Sequence, residues 1–259
     1  MSNRLEYKYL VPKELLNDIR TDMKPFVEID GFANKQENKE YTVRSIYYDT
    51  PGFACYHEKV AGLKVRKKFR IRGYDTPGKD SIVFLEIKRK YQNFIEKNRA
   101  PLLHANLKQM FLTHNLENYV ISFSGNGVEK SDAQRFFYHY YRKSLRPAVL
   151  VIYDREAFFG KFNKALRFTF DKNLRSTSFP SQDMLYEEHQ VKYAMRKNFI
   201  FEVKFFNGLP AWIQSIIKKY QLQRMALSKY TICLDSHNAV KQFSKNVFNE
   251  TFQNEYQKN

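Results

Sequence analysis

The chain is 259 residues long, 43% hydrophobic and 16% aromatic, too apolar for a disordered chain and long enough to bury one substantial core or two small ones. Only 9 glycines are present, which disfavours glycine-rich nucleotide loops and collagen-like or low-complexity architectures. Lys and Arg number 44 against 27 Asp and Glu, a net charge of +17, so the long-range field attracts polyanions: phosphates, nucleic acid or an anionic membrane face.

Leu5-Glu6-Tyr7-Lys8-Tyr9-Leu10-Val11 alternates apolar and charged residues, the mark of a strand with two unlike faces. Pro12 starts a helix in which Leu15, Leu16, Ile19 and Met23 recur at helical spacing, and Pro25 ends it. Residues 31–40 read as a polar loop, and Tyr41 to Asp49 as a strand stopped by Asp49-Thr50-Pro51-Gly52, turn chemistry that recurs at Asp75-Thr76-Pro77-Gly78. Strands are expected at 63–74, 82–90 and 94–102, then helices at 104–116 and 131–144. In the second helix Ser131 and Asp132 are read as caps, with Phe136, Phe137, Tyr140 and Tyr141 facing a core. Strands return at 147–158, 165–171 and, after a polar loop near 176–185, at 199–206. An amphipathic helix is expected at 211–220 and a further strand at 229–234; the polar segment after Asp235 reads as a helix covering the outer wall. No Ser/Gly/Pro-rich linker divides the chain, so the pattern is α+β, one domain with helices packed around an antiparallel sheet.

Cys55 and Cys233 sit in strand-like apolar settings, and the N-terminus shows neither a signal core nor a transit pattern. Two buried free thiols in a reducing, cytoplasmic compartment are the expectation. No apolar run approaches the roughly 18 to 20 residues that span a bilayer, so any membrane contact is expected from the side or through a membrane-protein partner.

The chemistry lies in strands whose second face is charged. Glu6 and Lys8 share a face, as do Arg70 and Arg72, Glu86 and Lys88, Lys97 and Arg99, and Glu202 and Lys204, with Arg155, Arg167, Thr169 and Asp171 as further members. A solvated outer face explains any single strand, but repetition through the chain, together with amphipathic helices that need an apolar surface to cover, points to an inverted barrel. Its apolar side chains face outward under helices and its interior holds cations. Like charges about 4 Å apart repel by roughly 4 kcal/mol at an effective dielectric near 20, so such a lumen requires anions, metal and water. A chain of phosphates meets that demand.

These residues, Glu6-x-Lys8, YTVRSIYYDT, Arg70-x-Arg72, Glu86-x-Lys88, Lys97-Asn98-Arg99, LRPAVLVIYDREAF, LRFTFD, FEVKF and LSKYTICLD, occur in order from about residue 4 to 235. Together they resemble the VTC domain, the polyphosphate polymerase module of the vacuolar transporter chaperone complex, within the triphosphate tunnel metalloenzyme (CYTH-like) superfamily. The resemblance implies an eight-stranded antiparallel tunnel over residues 1–235, a helical extension over 236–259, and metal-dependent transfer of the ATP γ-phosphate onto a growing polyphosphate chain. Carried over by position, it implies catalytic Arg70, Arg72, Lys88, Arg155, Arg167 and Lys229. Lys8, Lys97, Arg99, Lys204, Arg44, Tyr41 and Ser228 would bind substrate. Glu202 would hold Mn²⁺ or Mg²⁺, with Glu6 and Glu86 as secondary candidates. The inositol-phosphate-sensing domain and membrane helices of the eukaryotic complex have no counterpart here, so the chain is similar to a stand-alone bacterial form. Met225 stands where the eukaryotic catalytic subunit carries a further basic residue.

ATP and inorganic polyphosphate are therefore the expected partners, with no nucleic acid, and the oligomeric state is left open. Two alternatives stand beside the polymerase: a triphosphate or tripolyphosphate hydrolase on the same scaffold, and a non-catalytic polyphosphate-binding module. His57, His104, His114, His139, His189 and His237 lack ligand spacing, and no GxxxxGK[ST], HExxH or CxxC is present.

Overall fold

A computed structural model describes residues 4–91, 94–123, 125–206 and 208–241. In chain order the elements are β1 (Leu5–Pro12), α1 (Leu16–Met23), β2 (Val27–Ile29), α2 (Gly31–Asn34), β3 (Tyr41–Asp49), α3 (Ala54–Val60), β4 (Val65–Tyr74), β5 (Ile82–Tyr91) and β6 (Phe94–Leu103). There follow α4 (Leu107–Thr113), α5 (Leu116–Tyr119), α6 (Val128–Arg142), β7 (Arg146–Gly160), β8 (Arg167–Ser178), β9 (Lys192–Tyr193), β10 (Asn198–Phe205), α7 (Ala211–Lys219) and α8 (Lys229–Ser236). The expected α+β class holds.

All the strands join one antiparallel sheet of path β1-β10-β8-β7-β3-β4-β5-β6, with the short β2 and β9 pairing β7 and β8. That path has the eight antiparallel strands expected of the tunnel, left unclosed at one seam: among the described residues β1 and β6 do not pair. Each outer edge is occupied instead. Tyr9 of β1 bridges Arg224 and Lys8 O accepts from Met225 N at 2.8 Å, while Leu102 of β6 bridges Val120 and Pro101 O accepts from Ile121 N at 2.9 Å. At these points the covering loops satisfy edge groups that would otherwise be open to a neighbouring chain.

The outward face is apolar. Phe168, Phe170, Phe199 and Phe201 bury under Ile19 and Met23 of α1 and Ile213 of α7, while Phe69, Ile71, Leu85 and Leu150 bury under Met110 of α4 and Phe136 of α6. Each such side chain contributes about 1.5 to 3 kcal/mol by leaving water. This is why the helices lie outside the sheet and the charged face lies within.

Several expectations change; among the smaller ones, residues 31–34 of the expected loop form α2, and Cys55 lies in α3 rather than a strand. Residues 229–234 form a helix, not a strand: the Ser228 side chain caps α8 by accepting from Thr231 N, and Tyr230, Cys233 and Leu234 recur at helical spacing. Ser131 and Asp132 lie inside α6, whose N-cap is Gly127 with φ 75°. Asp132 instead accepts from Asn98 Nδ2 and Arg99 N, both at 2.8 Å, and so pins α6 to β6. Tyr141 is 53% exposed, although Phe136 and Phe137 are buried. Finally, Ala239, just after α8, is buried with it against inner-face residues, not the outer wall; residues 242–259 of the expected extension lie outside those described. Cys55 and Cys233 are buried and unpaired. No helix among the described residues is long and apolar enough to cross a membrane.

Candidate functional site

Cross-strand register brings the charged pairs together. Glu6 lies opposite Lys204 and Lys8 opposite Glu202; Thr169 lies opposite Glu202, Arg167 opposite Lys204, and Arg155 opposite Asp171. In the other half Arg70 faces Glu86, Glu86 faces Arg99, and Lys88 faces Lys97. Tyr41, Ser45 and Tyr47 of β3 lie opposite Arg155, Arg72 and Arg70. With a side-chain period of two, all of these share one face. The sheet curls so far that Lys88 Nζ on β5 comes within 3.7 Å of the Glu6 carboxylate on β1.

Helix α8 closes part of this concave face. Tyr230, Cys233 and Leu234 pack with Val149 and Val151 of β7, and the Tyr230 ring stacks on Tyr47 at 5.1 Å. The space that remains includes a cavity of about 110 Å³ lined by Lys8, Lys68, Arg70, Arg72, Lys88, Arg155, Lys204 and Lys229, with Tyr47, Tyr153, Ser228 and Glu202. Glu202 is the only carboxylate among those lining residues.

The inner-face carboxylates are held differently. Glu86 accepts from Arg70 Nε at 2.7 Å and pairs with Lys97 at 2.6 Å and Arg99 at 3.2 Å. Burial raises its carboxyl, but Arg70, Arg72 and Lys97 outweigh that and keep it below the usual range. Asp171 accepts both prongs of Arg155 at 2.6 and 2.8 Å and pairs with Lys229 at 2.5 Å. Glu6 lies 2.7 Å from Lys8. Glu202, 5% exposed, has among the described residues no cation closer than Lys204 at 3.4 Å, with Arg155 at 3.6 Å and Lys8 at 3.8 Å. Burial opposes its charge, yet Lys204, Lys8, Lys229 and Arg155 hold it well below the ordinary carboxylate range.

The cations are strained in a complementary way. Burial pushes the Lys97 ammonium down to about 8, with Glu86 offsetting part of the cost, and pushes Lys204 to about 8 against the pull of Glu202 and Glu6. Lys68 has no carboxylate partner among the described residues. Its Nζ donates to Ser228 Oγ at 2.7 Å, and burial followed by Lys8 and Lys88 lowers it well below an ordinary lysine. Arg72 donates from Nε to Ser45 Oγ at 3.1 Å and from Nη2 to Tyr153 OH at 3.4 Å, neutral partners, and Glu86 compensates its charge only from beyond hydrogen-bond range. Isolated buried charge is costly, and an anion in the cavity would relieve that cost.

Of the residues expected at the site, Lys8, Arg70, Arg72, Lys88, Arg155, Lys204, Ser228, Lys229 and Glu202 line the cavity. Glu6, Glu86, Lys97, Arg99, Arg167 and Tyr41 share the face beyond its walls. Arg167 pairs with Asp30 at 3.7 Å, the Arg99 guanidinium lies 3.4 Å from the centroid of Phe84, and Tyr41 is covered by Phe32 in an edge contact at 5.0 Å. Arg44 is a correction. It lies on the opposite face, donating to Asp75 O at 2.8 Å and pairing with Glu188 at 2.6 Å. Its neighbours Val43 and Ser45 carry the inward parity, so Arg44 points out. Lys68, Tyr47 and Tyr153 were missed. Lys68 stands two residues before Arg70, and the same alternation finds it, but the cationic run Arg66-Lys67-Lys68 blurs the pattern.

The resemblance drawn from the sequence implies a divalent cation. Hard cations such as Mg²⁺ commonly take one or two carboxylates plus substrate phosphate oxygens. No group of three or more His, Cys, Asp or Glu side chains gathers among the described residues, so a cage made by protein alone is absent there. Glu202 with Glu6 fits the lighter arrangement: both pair with Lys8, and the buried Thr169 hydroxyl opposite Glu202 has no hydrogen-bond partner. Glu86 fits less well, because Arg70, Lys97 and Arg99 already pair with its carboxylate within 3.2 Å.

No curated protein matches the chain. Similar solved structures include the PH1819 protein from Pyrococcus horikoshii OT3, at 14% identity, covering 89% of this chain and 99% of that one, with a TM-score of 0.44. Another is HpAC1 from Hippeastrum, named an adenylyl cyclase with a dominant triphosphatase activity, at 11% identity, 90% and 94% coverage and TM-score 0.46. A third is the Mimivirus capping enzyme triphosphatase, at 10% identity, 83% and 88% coverage and TM-score 0.30. Likenesses of this degree say nothing of what this chain does. The VTC domain family matches residues 3–238, and the chain belongs to that family.

Proposed function

We propose that the protein transfers the γ-phosphoryl group of ATP onto an inorganic polyphosphate chain held in the inner cavity, with Mn²⁺ or Mg²⁺ as cofactor. One observation carries the reading: eight cations and a single carboxylate line a space of about 110 Å³, suited to a thin, unbranched polyanion. Phosphoryl transfer asks mainly for positioning and for neutralisation of charge on the moving group. Arg72, Arg70 and Arg155 offer planar forks to phosphate oxygens, and Lys8, Lys88 and Lys229 offer point charges. Glu202, with Glu6, would hold the divalent ion, which when bound supplies charge neutralisation between phosphates.

The attacking group in chain extension is a phosphate oxygen already ionised at neutral pH, so no general base is needed. Glu202 suits that chemistry, since a carboxylate held so strongly ionised is a poor base for water. Hydrolysis of a triphosphate is the second reading, favoured by Lys204, whose ammonium is pushed down to about 8 and could accept a proton from water. A bound triphosphate would raise Lys204 again, which weakens this alternative. Incubation with ATP and Mn²⁺ or Mg²⁺ tests the choice. ADP with long-chain polyphosphate supports transfer, free phosphate without polymer supports hydrolysis, and tight polyphosphate binding without turnover leaves a binding module.

A further inference from the structure

A second hollow of about 190 Å³ adjoins the inner cavity and shares Lys8, Lys68 and Lys88 with it. Its outer part carries Arg4, Lys59, Arg66, Lys90 and Arg224. Among the described residues none of these five has a carboxylate within ion-pair distance. Lys59 Nζ donates to Ala226 O at 3.2 Å and Arg66 Nη1 to Leu63 O at 2.6 Å, while Arg224 lies 4.0 Å from the centroid of the Tyr7 ring and Arg4 5.7 Å from that of Phe206. Burial, then neighbouring cations beginning with Arg66, lowers both Lys59 and Lys90. Lys68 stands at the junction, its ammonium tied to Ser228 and so kept between the two spaces.

We propose that this rim is an outer subsite that engages the phosphates of a long polyphosphate chain beyond those filling the inner cavity, so that chain length is read as added affinity. The inference rests on the reading of the inner cavity given above. Glu6 also lines the hollow and offsets part of the charge of Arg4 and Lys90, but it is one carboxylate against eight lining cations, which repel one another until an anion enters. The hollow is continuous with the inner cationic lining, so one flexible anion can occupy both. Nucleic acid fits less well. Binding of single strands uses open aromatic platforms, and here the Tyr7 and Phe206 faces are already covered by Arg224 and Arg4.

Calorimetric titration of the wild type and of a Lys59→Gln/Arg66→Gln/Lys90→Gln variant with tripolyphosphate and with long-chain sodium polyphosphate tests this. The wild type should bind the long chain more tightly than tripolyphosphate. The variant should lose about tenfold or more of long-chain affinity and far less for tripolyphosphate. Each lost phosphate contact should also flatten the dependence of log affinity on log salt by about 0.7, through fewer released counterions, giving a slope shallower by about 2 for the long chain. Loss of affinity by the same factor for both ligands, or no loss for either, overturns the outer subsite. Failure of the wild type to bind either ligand overturns instead the inner-cavity reading. Lys59→Gln alone, with a melting curve matching the wild type, guards against misfolding, and it should show a smaller loss in the same direction. A single-stranded RNA that binds the wild type as tightly as polyphosphate, and is lost in the same variant, would also overturn the assignment.

Discussion

Glu6 of β1 and Lys88 of β5 lie 3.7 Å apart although five strands separate theirs along the sheet path. The contact spans an opening that no β1–β6 hydrogen bonds close among the described residues. Side chains, not backbone pairing, therefore bring the two halves of the sheet together across a lumen where cations predominate.

Glu202→Gln should lower metal-dependent turnover by at least about a hundredfold, the scale on which one preorganised charge acts. Because Lys204, Lys8, Lys229 and Arg155 hold this buried carboxylate ionised, its loss should also lower the melting temperature, and turnover is compared at a temperature where both proteins remain folded. Release of ADP from ATP with Mn²⁺ or Mg²⁺ is the measurement, and full activity would remove Glu202 from the metal site.

Asp171→Asn should be costly to the fold. It leaves buried Arg155 and Lys229 without the carboxylate they share, and breaking a buried pair in this way costs about 3 to 5 kcal/mol. Denaturant titration should show the loss, and added tripolyphosphate should restore part of it by supplying the missing negative charge. Removing the exposed pair of Lys219 with Asp22 should leave stability nearly unchanged, because solvent screens it.

Lys97 sets a pH window. Its folded pKa of about 8 lies below the roughly 10.4 of an ordinary lysine, so between those values the unfolded chain binds more protons than the fold. Its contribution therefore makes stability rise with pH over that interval. Tripolyphosphate affinity should move the other way, because Lys97 loses its charge. Melting temperatures and dissociation constants measured from about pH 7 to pH 10 in wild type and Lys97→Gln would show both slopes, each flatter in the variant; identical slopes would dismiss Lys97 as the titrating group.

Ser228→Ala should cost about 1 kcal/mol as a lost helix cap, because the Ser228 side chain accepts from Thr231 N at the start of α8. The same change removes the acceptor of Lys68. Polyphosphate affinity should therefore fall even after correction for stability, whereas Ser228→Thr should retain both. Equal affinity in the wild type and the alanine variant would mean that Lys68 does not depend on its partner.

Much of the site was legible because a strand repeats every two residues. Glu6 with Lys8, Arg70 with Arg72, Glu86 with Lys88 and Glu202 with Lys204 had to share faces once their segments were strands, whatever the sheet did. Strict attention to parity would also have excluded Arg44 and admitted Lys68. The segment 229–234 was less tractable. Its alternation suits a short strand, its buried Tyr230, Cys233 and Leu234 suit a helix, and only the capping role of Ser228 and the apolar bed of Val149 and Val151 decide between them.

Sequence alone thus determined the charged and apolar faces of the strands and the excess of cations, because these follow from residue order and a fixed side-chain period. Tertiary structure decided which acid remains loosely held, since Glu202, Glu86 and Asp171 look alike until the distances to their cations are known. It also decided that the sheet stays unpaired at its seam and that α8 enters the concave face. Both depend on contacts between residues remote in the chain, and local periodicity carries no record of those distances.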